Sequence, residues 1–96
     1  MKPQWSNEQL SETIIAVVVR ALRIDPARAT MDAKIIDDVG AESLDVLDIR
    51  FSLEQELGAK IDQTEMMRRL GDGLSAADIR KKFTIGWLVQ DVSQHL

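Results

Sequence analysis

The hydrophobic pattern is most distinctive between residues 44 and 57, a stretch without glycine or proline that is followed by Gly58. Such a stretch predicts a helix that ends at the glycine. At about 100° per residue this helix has two apolar stripes, which lie roughly 150° apart. The longer stripe consists of Val46, Ile49, Leu53 and Leu57, and the shorter one of Leu44, Leu47 and Phe51. One helix of a small domain cannot bury both stripes, so we expect the longer stripe to face the core and the shorter one to be wholly or partly exposed.

Helical periodicity and capping residues predict the other elements. Ser6 and Gln9 have the spacing of a capping box that opens a first helix, with Trp5 packed on Leu10, and Asp25-Pro26 should end this helix. Its core stripe would be Leu10, Ile14, Val17 and Ala21, widened by Val18 and Leu22. Residues 25–42 form a long loop, held to the core by Ile35 and Ile36 or by Val39. Further helices are expected from about Gln63 to Leu70, closed by Gly71-Asp72-Gly73, then from a Ser75 cap through Lys82, and from a Thr84 cap over about Ile85 to Gln94.

These elements predict an all-α fold, because no stretch of the chain sustains β-type alternation. The expected architecture is a four-helix bundle with a long first loop and an extra short helix before the last helix. A length of 96 residues corresponds to one domain, residues 1–96. We expect this domain to be a monomer.

Composition narrows the chemistry and the compartment. The chain has no cysteine, so any thiol that the function needs must come from an attached group. The longest aliphatic run, Ile14 to Val19, is too short to span a membrane. The segment from Lys2 to Gln9 lacks the apolar stretch of a secretory signal, and the cytoplasm is therefore the expected compartment.

Acidic residues are concentrated in one part of the chain. Residues 37–57 contain seven acidic side chains and one basic side chain, Arg50, although the net charge of the whole chain is only −4. An acidic helix with an exposed apolar stripe would dock onto basic, partly apolar grooves of other proteins. The pattern alone fits a solvated acidic helix equally well.

Ser43 lies at the start of this acidic helix and is the candidate for chemistry. A serine nucleophile needs a nearby base, and the only histidine, His95, is next to the last residue, where a frayed and solvated side chain is expected. Asp45 stands where a nucleophile elbow would require glycine. Ser43 is therefore a poor catalyst, but an exposed hydroxyl at a helix N-terminus is a good acceptor of a phosphate-containing group. The alternative role for Ser43 is a plain N-cap.

Other kinds of site find little support. Asp37, Asp38 and Asp45 lack calcium-loop spacing, and no histidine or cysteine is near them, so we expect no metal site. The basic clusters Arg68-Arg69 and Arg80-Lys81-Lys82 are short and belong to an acidic chain, which argues against nucleic-acid binding. We expect them to be solvated or to pair with acidic residues of the protein itself.

The residues around Ser43 resemble the attachment region of acyl carrier proteins, in which Gly-x-Asp-Ser-Leu opens the second helix. Here the five residues are Gly40-Ala41-Glu42-Ser43-Leu44. The similarity extends to acidic positions at Asp45 and Asp48 and to residues 84–89, Thr-Ile-Gly-Trp-Leu-Val, at the last helix. Two features differ from the family pattern: Glu42 replaces the usual aspartate, and the span between Ile61 and Thr84 is longer than in compact fatty-acid carriers.

The resemblance implies a carrier-protein bundle that is not an enzyme. It implies a covalent 4′-phosphopantetheine arm at Ser43, donated from coenzyme A by a phosphopantetheinyl transferase, and acyl-transferring and chain-elongating enzymes as further partners. The implied partner-binding residues are Glu42, Leu44, Asp45, Leu47, Asp48 and Phe51. The implied cargo is a fatty or polyketide-type acyl group held as a thioester. The alternatives are an aminoacyl or peptidyl carrier of nonribosomal synthesis and, from another class, a helical adaptor that is never modified.

The long segment 62–83 carries one further hypothesis, that it helps to form a cavity for the acyl chain. Its candidate lining residues are Met66, Met67, Leu70, Leu74 and Ile79. Gly71 and Gly73 would serve as hinges. The alternative is that the segment is a partner-recognition surface or a neutral insertion.

Overall fold

Between residues 5 and 95, which are the residues that this computed structural model describes, the chain folds into five α-helices and no strand. The helices are α1 (Asn7–Leu22), α2 (Ser43–Leu57), α3 (Gln63–Gly71), α4 (Ala76–Lys82) and α5 (Ile85–His95). The prediction of an all-α bundle with an extra short helix before the last one is confirmed. No helix of this part of the chain combines the length and apolarity needed to cross a membrane. Lys2, used above in the expectation about the N-terminus, lies outside the described residues.

Helix α1 begins as predicted but ends earlier. The Gln9 N–H donates to Ser6 Oγ and the Ser6 N–H donates to Gln9 Oε1, each at 3.1 Å, so the capping box is present. The helix ends at Leu22 because Arg23 adopts the left-handed conformation, with φ of 55°. The prediction that Asp25-Pro26 ends α1 is therefore wrong: Asp25 caps a short 3₁₀ helix, Pro26–Arg28, that follows.

The core is formed mainly by α1, α2 and α5. The buried apolar residues that these three helices contribute are Leu10, Ile14, Val17 and Val18 of α1, Val46, Ile49, Leu53 and Leu57 of α2, and Ile85, Leu88, Val89 and Val92 of α5. Ala21 and Leu22, expected in the core stripe of α1, are only half-buried, as is Trp5. The longer stripe of α2 is buried throughout, as its spacing predicts.

All three candidate anchors of the first loop pack on the core. Ile35 and Val39 are both buried, and Ile36 is half-buried. The Ile35 N–H donates to Phe83 O at 2.9 Å, so the loop runs beside the chain that leads into α5.

A close backbone contact reinforces this pairing. The Gly86 N–H donates to Met31 O at 2.7 Å, and a Cβ atom at position 86 would lie 2.8 Å from that oxygen. Glycine is therefore required at the first turn of α5, since any side chain would push the loop away. This contact fixes the loop that leads to Ser43.

Helices α3 and α5 are joined by an ion pair with a buried carboxylate. Arg69 donates from Nε and Nη2 to the two carboxylate oxygens of Asp91, at 2.7 and 3.0 Å, and Asp91 is only 7% exposed. This hydrogen bonding raises the pKa of Arg69 above its ordinary value. The neighbouring Arg68 pairs with Glu65 at the surface, and Arg80 pairs with Asp37. The three arginines of the two basic clusters thus pair with acidic residues of the protein, which confirms for them the second of the two expectations, pairing rather than solvation alone.

We predict that Arg69→Met lowers the free energy of unfolding by about 1.5–3 kcal/mol, because it leaves the buried Asp91 carboxylate without its charged partner. Arg68→Met is the matched control. It removes the same side chain one residue earlier, from a solvent-exposed pair, and should change stability by about 0.5 kcal/mol or less. Urea denaturation of the two variants checks the prediction, and equal losses would contradict it.

Candidate functional site

Ser43 is the first residue of α2, and its side chain does not cap the helix. Glu42 is the N-cap residue: its backbone is extended and its carbonyl accepts the first helical hydrogen bond, from the Val46 N–H at 3.0 Å. Ser43 is exposed, and its hydroxyl makes no hydrogen bond within the described part of the chain. The N-cap alternative for Ser43 is therefore wrong, and the hydroxyl is available to another molecule.

Asp45 stabilises the turn that presents Ser43. Its Oδ2 atom accepts a hydrogen bond from the Glu42 N–H at 2.9 Å, and its charge lies in the first turn of α2, where the helix dipole favours an acid. The sequence already indicates Asp45 as a favourable acid at the helix start, in addition to its implied role in partner recognition. The spacing of three residues between Glu42 and Asp45 was the available signal for this capping role.

The short apolar stripe of α2 is exposed, as predicted. Leu44 is 77% exposed, Phe51 55% and Leu47 42%, although each is a large apolar side chain. Asp48 lies beside these residues on the surface and has no ion-pair partner between residues 5 and 95. The result is an apolar surface that follows Ser43 and carries an unpaired negative charge.

Several acidic residues of this region form ion pairs or hydrogen bonds within the protein. Glu54 pairs with Arg50 at 2.9 Å, Glu56 pairs with Arg20 of α1 at 3.4 Å, and the Asp38 carboxylate accepts the Lys34 N–H at 2.8 Å. The charge that a partner meets is therefore concentrated near the start of α2. Counting acids along the sequence could not show this distribution.

An open cleft of about 400 Å³ adjoins Ser43. It lies between the first loop, α2 and α3, and its lining residues are Ile36, Ala41, Glu42, Ser43, Val46, Gln63, Met67 and Phe83. The lining is mostly apolar, and it contains neither histidine nor lysine. The cleft can shelter an apolar group attached to the serine but offers no imidazole or amine to act as a base.

The long segment contributes to this cleft differently from the expectation. Of its five candidate lining residues only Met67 borders the cleft. Met66 and Leu70 are buried in the main core, and Leu74 is an exposed surface residue. Gly71 lies within α3, where a Cβ atom would come within 2.5 Å of the Ile79 side chain, so close packing against α4 accounts for this glycine better than a hinge does.

Arg50 joins α2 to the beginning of α3. Its Nη1 donates to Glu54 Oε1 at 2.9 Å and to Ile61 O at 3.3 Å, while its Nε donates to Gln63 Oε1 at 2.9 Å. Glu54 Oε2 in turn accepts the Ile61 N–H at 2.7 Å. The spacing of Arg50 and Glu54 by four residues was a visible signal, but the contact with Gln63 depends on tertiary structure.

No metal or catalytic constellation accompanies the serine. Residues 5–95 contain no group of three or more histidine, cysteine, aspartate or glutamate side chains suited to a metal ion. His95 belongs to the last turn of α5, with Nδ1 2.8 Å from Asp91 O, and borders a different cleft with Lys60 and Asp62. The side chain is exposed as expected, but it contacts the helix rather than fraying from it.

Comparison with known proteins identifies relatives of this chain. The family model described as "Phosphopantetheine attachment site" matches residues 12–71. An acyl carrier protein of Thermotoga maritima is 31% identical over 91 residues, which cover 95% of this chain and 96% of the relative. Acyl carrier proteins of Helicobacter acinonychis (38% identical over 65 residues, 66% of this chain and 83% of the relative) and Solidesulfovibrio magneticus (30% over 74 residues, 75% and 95%) are also similar.

The residues at the start of α2 fit the prosthetic group that this family implies. A phosphodiester-linked arm requires an accessible hydroxyl, and Ser43 has one without an internal hydrogen bond. The adjoining cleft offers room for what such an arm carries. The chain belongs to the acyl carrier protein family, whose members are carriers rather than enzymes and hold a covalently bound 4′-phosphopantetheine.

Proposed function

We propose that this protein carries acyl intermediates as thioesters on a 4′-phosphopantetheine arm attached at Ser43, and that it serves fatty-acid or polyketide-type biosynthesis. The observation that carries the proposal is the unbonded, exposed hydroxyl on the first residue of an acidic helix. The names of the relatives, all acyl carrier proteins, support the same function.

Attachment makes Ser43 Oγ the nucleophile toward the pyrophosphate of coenzyme A. A bond forms between Oγ and the phosphorus next to pantetheine, the bond from that phosphorus to the bridging oxygen breaks, and adenosine 3′,5′-bisphosphate leaves. The hydroxyl proton passes to a base in the complex with the transferase, because the cleft itself supplies neither histidine nor lysine for this step. The N-terminal N–H groups of α2 favour the phosphate that remains. The arm supplies the thiol that a chain without cysteine lacks.

The match to the attachment-site family favours a carrier over an unmodified helical adaptor. An aminoacyl or peptidyl carrier of nonribosomal synthesis would use the same arm, and the acidity near Ser43 together with the named relatives favours acyl cargo. The proposed partners are a phosphopantetheinyl transferase and the acyl-transferring and chain-elongating enzymes of one pathway. The proposed docking surface consists of Glu42, Leu44, Asp45, Leu47, Asp48 and Phe51. We propose that the protein acts as a cytoplasmic monomer.

We predict that incubation with coenzyme A and a phosphopantetheinyl transferase adds the mass of one phosphopantetheine to the wild-type protein. Ser43→Ala should gain no mass, because it removes only the attacking oxygen. Ser52→Ala, which alters a later serine of the same helix, is the control and should be modified like the wild type. Intact-protein mass spectrometry reads all three, and a mass gain in Ser43→Ala would disprove attachment at this residue.

The unpaired charge of Asp48 predicts a docking surface that depends on electrostatics. Asp48→Lys should slow modification several-fold, on the order expected for a rim charge that guides encounter, and the wild-type rate should fall as salt is added. Asp45 is left unchanged in this test because its carboxylate caps α2.

Glu56→Lys is the matched control for the Asp48 variant. It makes the same charge reversal on α2 at a side chain that pairs with Arg20 of α1. Stability should change by about half a kcal/mol or less for either variant, which circular dichroism can verify. Equal modification rates for Asp48→Lys and Glu56→Lys would refute a specific role for Asp48.

The contribution of the long segment to cargo binding is also testable. Its residues at the cleft are Gln63, Met67 and Phe83, so we predict that lengthening the acyl group shifts their amide resonances relative to the form carrying the arm alone. Leu74, exposed on the surface, is the internal control and should shift little. If resonances of α1 and α2 move while residues 62–83 stay unchanged, this segment does not line the cargo site.

A further inference from the structure

The cleft beside Ser43 contains a single side-chain amide, that of Gln63, the first residue of α3. Five of the other lining residues are apolar. The remaining two are Glu42, whose ionised carboxylate can only accept hydrogen bonds, and Ser43, the proposed attachment residue. Gln63 is therefore the one side chain of the cleft wall that can donate a hydrogen bond to an attached group.

The orientation of the Gln63 amide is determined by its partner. Arg50 Nε lies 2.9 Å from the Gln63 side chain, and a guanidinium can only donate. The atom that faces Arg50 must then be the carbonyl oxygen Oε1. The Nε2 amino group of the same amide therefore points away from Arg50. Arg50 is itself held by Glu54 and by Ile61 O, so the amide is fixed before any cargo arrives.

The two N–H donors on Gln63 Nε2 have no partner within the described residues. Gln63 is half-buried and lines the cleft, and its side chain bonds to Arg50 through Oε1. A saturated hydrocarbon chain in the cleft offers these donors no acceptor. An attached group with a carbonyl oxygen at this depth would satisfy one of them, and a net hydrogen bond of this kind changes an equilibrium by a factor of about 2 to 10.

We propose that Gln63 Nε2 donates a hydrogen bond to a carbonyl oxygen of the group attached at Ser43. This inference depends on the proposed function. The carbonyl can come from two sources, an amide of the arm or a β-oxo group of the acyl chain. Only the second source would make the cleft selective for oxygenated intermediates over saturated ones.

The side-chain amide resonances of Gln63 test the proposal in the wild-type protein. They should be compared in four forms, each verified by mass: unmodified, carrying the arm, hexanoyl-loaded and β-oxohexanoyl-loaded. A shift on addition of the arm that then stays constant identifies the arm carbonyl. A shift seen only with β-oxohexanoyl identifies the acyl oxygen. Gln55, exposed on α2, is the internal reference. If the Gln63 amide shifts no more than that of Gln55 in any form, the proposal is wrong.

A substitution at Gln63 can remove the Nε2 donor while keeping the hydrogen bond with Arg50. Gln63→Glu keeps an oxygen acceptor for Arg50 but removes both N–H donors, and Gln55→Glu adds the same charge at an exposed position of α2. With the cargo that shifts the Gln63 resonance, hydroxylamine should cleave the thioester about 2- to 10-fold faster in Gln63→Glu than in Gln55→Glu. Equal cleavage rates would overturn the proposal. Because every sample is first shown to carry the arm, this failure is distinct from a failure of attachment at Ser43.

Discussion

The burial of one apolar stripe of α2 determines what the rest of the molecule can present. Val46, Ile49, Leu53 and Leu57 span the whole helix and are all buried in the core. Each such side chain contributes about 1.5–3 kcal/mol when it is buried, so the rotation of α2 about its axis is fixed. Leu44, Leu47 and Phe51 must then remain at the surface, next to Ser43. Exposure of the short apolar stripe, the proposed docking surface, is thus a direct consequence of core packing.

The acidic residues around this helix have different structural roles, which the net charge of the segment does not show. Asp45 caps the helix, Glu54 holds Arg50, and Glu56 joins α2 to α1. Asp48 pairs with no basic side chain between residues 5 and 95. A partner that approaches α2 would therefore meet few unpaired charges, placed close to Ser43, the proposed attachment residue. This arrangement gives orientation more readily than a uniformly acidic surface would.

Local features of the sequence predicted the local features of the structure. The two faces of α2 follow from residue spacing, and the Ser6, Ser75 and Thr84 caps follow from hydroxyl side chains placed before helical stretches. The end of α1 was missed because Arg23 adopts a positive φ, which arginine seldom does.

Features that depend on distant residues were not predictable from the sequence. The backbone pairing of Met31 with Gly86 and the contact of Arg50 with Gln63 both join parts of the chain that only the fold brings together. The N-cap of α2 is Glu42 rather than Ser43, although serine is the residue type that favours this position, so residue type alone did not identify the cap.

The cleft beside Ser43 has two fixed walls and one adaptable wall. The loop wall is held through the close approach of Gly86 to Met31, and the beginning of α3 is held through Arg50. Met67, further along α3, is partly exposed and has a flexible thioether side chain that adapts to different shapes. In the proposed function, fixed walls would keep the serine and the Gln63 amide in constant positions, while the flexible Met67 side chain would adapt to guests of different length. A carrier that must hold successive intermediates needs both properties at once, and in this chain separate residues provide them.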